Sequence, residues 1–278
     1  MKKHTLEKSS LYLALAVLVI LFLFPIYWVV TMSFKNPGQI FVVPPEFFPS
    51  SFHLGNYAAI FQRSMVSRYF TNSLFIAVCT TILSVFIASF AGYGFSRFRF
   101  RGRNFAIYGI MVIRIVPVVV YIVPFYVIYK QLGLLNTYPG LMLAYTTFSL
   151  SLAIWLFMGF YDDIPASIYE SAIIDGCSEY SVFWHIAVKL VLPGFVVASI
   201  LIFNGSWNEF TLALILTFSD NMRTLPIGIA NMIVTDSGQT PFGAVAATGT
   251  IALLPALILS LTTQKYIVRG LTAGAVKG

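Results

Sequence analysis

Five of the ten acidic side chains in this 278-residue chain, Asp162, Asp163, Glu170, Asp175 and Glu179, fall within 18 positions. Acids gathered in a polar segment between two long apolar stretches fit either a solvated loop or a charged docking face, and Gly176 among them permits the sharp turn that ends a helix. Two further charges stand inside apolar stretches, Arg114 and Glu209. An unpaired charge at the centre of a bilayer costs at least about 2.5–3.5 kcal/mol on insertion scales, so each needs a partner or a wet cavity. Glu209 sits with Asn204, Trp207 and Asn208 in the most polar patch of any apolar stretch. Two readings stay open: an internal Arg114–Glu209 pair or separate interhelical hydrogen bonds, and a lining for the path of a transported solute.

Other chemistry is missing from the sequence. There is no Gly-x4-Gly-Lys-Ser/Thr phosphate loop, so the chain is not itself expected to hydrolyse ATP. No His-Glu-x2-His occurs, and the three histidines (His4, His53, His185) are scattered. Cys79 and Cys177 lie far apart on different kinds of segment and build neither a disulfide framework nor a metal site. No catalytic or metal-ligating set is expected.

The elements that must carry these residues follow from composition. Charged residues make up 10% of the chain and apolar residues 58%, against about 25% charged in ordinary soluble domains. A bilayer crossing takes about 20 mostly apolar residues. Stretches without Asp, Glu, Lys or Arg run over 9–34, 69–96, 131–161, 190–208 and 237–264, and a sixth, 104–129, is interrupted only by Arg114. The pattern predicts an all-α polytopic membrane protein whose six-helix domain, residues 11–264, has spans over 11–33, 72–95, 105–129, 140–160, 194–217 and 242–264. The first stretch follows Lys2 and Lys3 but lacks a small-x-small cleavage site where a signal peptide would have one, so it reads as a retained helix. Pro117 and Pro124 are expected to kink span three. The connection 34–71, with Pro37, Pro44, Pro45 and Pro49, is expected to be extended turns.

The net charge of +7 is distributed as a membrane anchor rather than a nucleic-acid site. Lys2, Lys3, Lys8, Arg97, Arg99, Arg101, Arg103, Lys265, Arg269 and Lys277 fall on one side of six alternating spans, and only Lys35, Arg63, Arg68, Lys130 and Arg223 on the other. The positive-inside rule puts both termini, 1–10 and 265–278, in the cytoplasm. The acidic segment 161–193 is then cytoplasmic. Ile164, Ile168, Ala172 and Ile173 predict a short amphipathic helix there, and Val182, Phe183 and Ile186 begin a second helical stretch after Gly176.

That loop closely resembles the coupling ("EAA") loop of ABC importer permeases: Glu-Ala-Ala, three residues, Gly, then Ile and Pro are met by Glu170, Ala172, Asp175, Gly176, Ile186 and Pro193. Ser171, Cys177 and Lys189 depart from the usual pattern. The ending Gln264-Lys-Tyr-Ile-Val-Arg-Gly-Leu-Thr-Ala-Gly-Ala-Val-Lys-Gly278, by composition a short flexible basic tail, is similar to that of the carbohydrate branch, relatives of the maltose and glycerol-phosphate permeases. Asn56-Tyr57, Asn72-Ser73, Leu132-Gly-Leu-Leu-Asn-Thr137 and Trp207-Asn-Glu-Phe210 fit the same branch.

The resemblance implies a type I importer permease fold in the bacterial inner membrane. It implies a second homologous permease subunit, two ABC ATPase subunits carrying ATP and Mg, docked at Glu170, Ala172, Asp175 and Gly176, and an extracytoplasmic sugar-binding protein. The chain itself would bind no cofactor. Arg114 stands where the family usually has a neutral or apolar residue, and a fixed cation there would suit an acidic sugar. A permease for a non-sugar solute and an ion-coupled secondary transporter are the alternatives.

Overall fold

Hydrocarbon offers backbone N–H and C=O groups no water, so apolar segments must satisfy them internally, as helices do. In the computed structural model the described residues, 2–62, 64–233 and 240–275, form α-helices and connections with no strand among them. The helices are α1 (Lys2–Ser33), α2 (Pro37–Ile40), α3 (Gly55–Gln62), α4 (Ser64–Arg97), α5 (Arg103–Ile115), α6 (Val118–Gln131), α7 (Tyr138–Asp162), α8 (Ala166–Ile174) and α9 (Glu179–Val182). A π-helical turn, Phe183–Ala187, leads to α10 (Val188–Leu190), α11 (Leu192–Trp207), α12 (Thr211–Leu216), α13 (Leu225–Ile233) and α14 (Phe242–Ala275). Arg63 and Lys277, both counted in the charge asymmetry, lie outside the described residues.

Four helices have unbroken apolar spans long enough to cross a membrane: Ser10–Ser33, Met65–Arg97, Tyr138–Asp162 and Phe242–Thr263. The other two crossings expected as single helices are broken. Span three is α5 and α6, bent by 101°. Pro117 has no N–H to donate and disfavours helix at the residue before it, and Val116 is extended (φ −75°, ψ 123°). Pro124 lies within α6 without ending it. Span five stops at Trp207, so α11 is only 16 residues long, about 24 Å by helix rise. It reaches crossing length with the preceding Glu179–Leu190 segment, at a bend of 74°.

Three further corrections concern connections. The 34–71 stretch contains α2 and α3 rather than turns alone. The 218–241 connection, which the pattern leaves without an element, carries α13. The ending, expected to be a flexible tail, continues α14 as far as Ala275.

The chain divides into two compact units, residues 1–67 with 228–254, and residues 68–227 with 255–278. In the first, Asn56 Nδ2 donates to the carbonyls of Ser33 and Lys35, both at 2.9 Å, and the Tyr57 hydroxyl meets Ser33 Oγ at 2.8 Å. Asn56-Tyr57 therefore secures the turn after α1.

In the second unit, Asn72 Nδ2 holds the carbonyls of Asn221 (2.8 Å) and Arg223 (3.0 Å), and its Oδ1 accepts from the Tyr138 hydroxyl at 2.6 Å. Ser73 Oγ accepts from the Leu225 amide at 2.7 Å. Asn136, at φ 57°, accepts from the amides of Phe218 and Ser219 and from the Ser219 hydroxyl at 3.0–3.1 Å. A buried cluster including Tyr93, Phe157, Tyr161, Tyr169, Val182 and Phe183 joins α4, α7 and α8 to the helical stretch after Gly176. There the α4 and α7 backbones nearly touch, since a Cβ on Gly92 would come within 2.6 Å of Phe157 Cβ.

Candidate functional site

The expected helix–turn–helix is present, and its turn explains the Ala-x3-Gly spacing. Gly176 adopts φ 85°. Its amide donates to the Ile173 carbonyl (3.0 Å), and the Cys177 amide donates to that of Ala172 (3.0 Å). These two bonds are the Schellman C-cap, which needs a left-handed residue where Gly176 stands. Ser178 then caps α9 by accepting from the Ser181 amide at 3.2 Å.

The buried face of α8 differs from the predicted one. Its buried side chains are Tyr169 and Ala172, with Ile164 packed on the same cluster. Ile168, Ile173 and Ile174 face outward, Ile174 at 84% exposure, beside exposed Glu170 and Asp175. Glu170 and Ile174, four apart, lie together on the side of α8 opposite the buried Tyr169 and Ala172, whereas Ile168 and Ile173 flank that buried side. Burial raises the Tyr169 phenol to about 12, with the Arg97 guanidinium opposing and Asp162 adding to the rise, so it is neutral at ordinary pH.

The second candidate site is a cavity of about 230 Å³. Arg114 from the end of α5, Tyr145 and Ser149 from α7, Ser206 from α11 and Glu209 line it, with aliphatic and phenyl side chains around them. Arg114 and Glu209 therefore share one cavity, but they form no ion pair among the described residues. The Glu209 carboxylate instead accepts from the amides of Leu212 (2.8 Å) and Ala213 (3.1 Å) and so caps α12. The helix is interrupted between Trp207 and Thr211, and Glu209 stands in that interruption.

The hydroxyls of Tyr145 and Ser206 are buried without a hydrogen bond of good geometry, although Tyr145 lies beside Glu209 and Thr224. The other polar residues expected around the path, Asn204, Trp207 and Asn208, do not line this cavity. Trp207 is buried, stacks on Phe203 at 5.9 Å and meets Phe70 edge-on at 5.4 Å. Asn208 Nδ2 donates to the Asn204 carbonyl at 2.9 Å, and neither residue lines the cavity. Sequence reasoning missed Tyr145, Ser149 and Ser206. Their only signal is a hydroxyl inside an apolar stretch, which many helix-packing residues share.

Comparison with known proteins agrees with this architecture. The binding-protein-dependent transport system inner membrane component family matches residues 84–273. The trehalose transport system permease protein SugB of Mycobacterium tuberculosis is 34% identical over 256 residues, covering 92% of this chain and 93% of that protein. The sulfoquinovosyl glycerol transport system permease protein SmoH of Agrobacterium fabrum is 32% identical over 271 residues, covering 98% and 94%. A chain in the crystal structure of a bacterial ABC transporter that imports the acidic polysaccharide alginate superimposes with a TM-score of 0.82, at 20% identity and with 96% and 98% coverage, which establishes a shared fold. The relatives are transporter subunits rather than enzymes, and the chain belongs to the binding-protein-dependent transport system inner membrane component family, the multi-pass permeases of ABC transporters.

Proposed function

We propose that the chain is one of two membrane-spanning subunits of an ABC importer for a carbohydrate delivered by an external binding protein. Two ATPase subunits carrying ATP and Mg dock on the cytoplasmic side, one of them on the outer face of α8. The observation that carries this reading is α8 itself, a capped helix between α7 and α11 whose Ile168, Ile173, Ile174, Glu170 and Asp175 are left open. An exposed isoleucine beside a carboxylate on the open side of this helix, Ile174 with Glu170, offers a partner's groove both apolar and ionic contact. The carbohydrate cargo is supported by the sugar systems to which SugB and SmoH belong. ATP binding draws the two docking helices together and rocks the spans, alternating access to the cavity.

The test is purification of the complex from native membranes, wild type against Ile174→Asp. The wild type is expected to retain an ABC ATPase and a second multi-span subunit, and the variant to lose the ATPase while keeping that subunit. Equal ATPase recovery from both would refute docking through this face.

A finer reading concerns charge. Capping of α12 compensates Glu209, whereas Arg114 has no carboxylate partner among the described residues. Arg114 is exposed at the cavity, and a cation free to pair there favours an anionic sugar, such as a uronate or a sulfonated sugar. In vesicles holding the complete transporter, Arg114→Gln is expected to lower uptake of the anionic sugar at least tenfold, and Arg114→Lys to retain part of it. Unchanged uptake by Arg114→Gln would remove Arg114 from the path.

A further inference from the structure

Docking alone does not move a substrate, because displacement of α8 must reach the spans. The grip of α8 on the rest of the chain is narrow, since Tyr169 and Ala172 are its buried side chains. Tyr169 is met by two residues of α4. The Tyr93 ring lies edge-on to it at 6.2 Å, and the Arg97 guanidinium sits over its face at 4.9 Å. Tyr93 and Arg97 are four apart on the final turns of α4, so they share one side of that helix.

The same pair holds the helical stretch after Gly176. Tyr93 contacts Phe183 at 4.9 Å, and its hydroxyl donates to Glu179 Oε2 at 3.4 Å. Arg97 reaches Glu179 Oε1 at 3.9 Å. Tyr93 also contacts Tyr161 of α7 at 5.3 Å, and Ser96 Oγ donates to Asp162 Oδ1 at 2.6 Å. One turn of α4 is therefore joined to α7, α8 and α9 through ring, cation–π and carboxylate contacts.

We infer that Tyr93 and Arg97 are positioning residues that clasp the docking helix to α4, so that displacement of α8 by the ATPase is carried into α4. This rests on the docking reading above. A merely stabilising contact would leave the response of α4 to ATP intact in any variant that still assembles. A clasp predicts that ATP is hydrolysed while α4 no longer responds.

Cys79 lies on α4, partly accessible, and reports that response without any knowledge of the cargo. In the purified complete complex carrying Cys177→Ser, the rate of Cys79 modification by N-ethylmaleimide is measured with and without MgATP and vanadate. The complex without clasp substitutions is expected to change rate severalfold. Tyr93→Leu with Arg97→Gln is expected to abolish that change while hydrolysing ATP near the wild-type rate. A double variant that keeps the change overturns the clasp, and so does a wild-type clasp whose Cys79 never responds to nucleotide. Loss of the ATPase from the complex with an unaltered clasp would instead overturn the docking reading.

Should the double variant fail to assemble, Arg97→Glu is compared with Arg97→Glu carrying Glu179→Arg, which leaves Cys79 untouched as the reporter. Reversal of Arg97 alone is expected to abolish the ATP-dependent change, and the exchanged pair to restore part of it. A single reversal that keeps the change, or an exchanged pair as unresponsive as the single reversal, overturns the inference.

Discussion

Glu209 gives its carboxylate to the backbone, accepting from the amides of Leu212 and Ala213. Glu209→Ala should leave both donors bare and destabilise the protein by about 1 kcal/mol, the usual cost of a lost cap. Glu209→Gln keeps an acceptor oxygen and should cost less, with thermal inactivation in detergent as the measurement. Asn136 is a similar case, because three donors converge on its side-chain oxygen. Asn136→Gly accommodates φ 57° yet leaves those donors unsatisfied, so it should still cost about 1–3 kcal/mol, and Asn136→Ala should cost more because it adds left-handed strain. If Asn136→Gly were as stable as wild type, the hydrogen bonds would count for little. In the sequence, Glu209 looks like a charge stranded in a helix. Its actual partners are amides of the next helix, α12, and the apolar run that continues past Glu209 gives no sign that a new helix starts there.

At the scale of elements, the acidic loop between α7 and α11 owes its form to local chemistry. Gly176 is held left-handed by bonds to Ile173 and Ala172, and Gly176→Ala should cost about 1–2 kcal/mol and weaken ATPase retention in the same purification. Retention equal to wild type would show that the turn tolerates a Cβ without loss of the docking geometry. Such local features were legible: the helix before Gly176, the helical stretch after it and the break at Pro117 each follow from residues near one another in sequence. The buried face of α8 was not. Tyr169 turns inward because Tyr93 and Arg97, some seventy residues earlier, meet it there, and that leaves Ile168 and Ile173 facing outward. The 16-residue α11 was missed because the apolar run resumes after Glu209, so hydropathy alone continues the span through the interruption at 208–210.

For the whole molecule, composition alone identified a polytopic α-helical membrane protein, and the unbroken crossings fall where charge-free stretches predicted them. The cavity was only half legible. Arg114 and Glu209 announced themselves as charges among apolar residues, whereas Tyr145 and Ser206 come together with them only through packing of α7 on α11. The arginine-rich connection after α4 predicts a cytoplasmic location for that end of the span. A membrane-impermeant thiol reagent should then label Arg101→Cys, in a background without Cys79 and Cys177, only in inside-out vesicles. Labelling in right-side-out vesicles would invert the orientation and move α8 away from any cytoplasmic ATPase. The most direct measurement places a photo-cross-linking amino acid at position 174, on the open face of α8, in native membranes. Capture of an ABC ATPase subunit at that position is predicted, and its loss in a Glu170→Arg background would localise the contact further. Efficient incorporation without ATPase capture, while ATP-driven uptake continues, would contradict docking on α8.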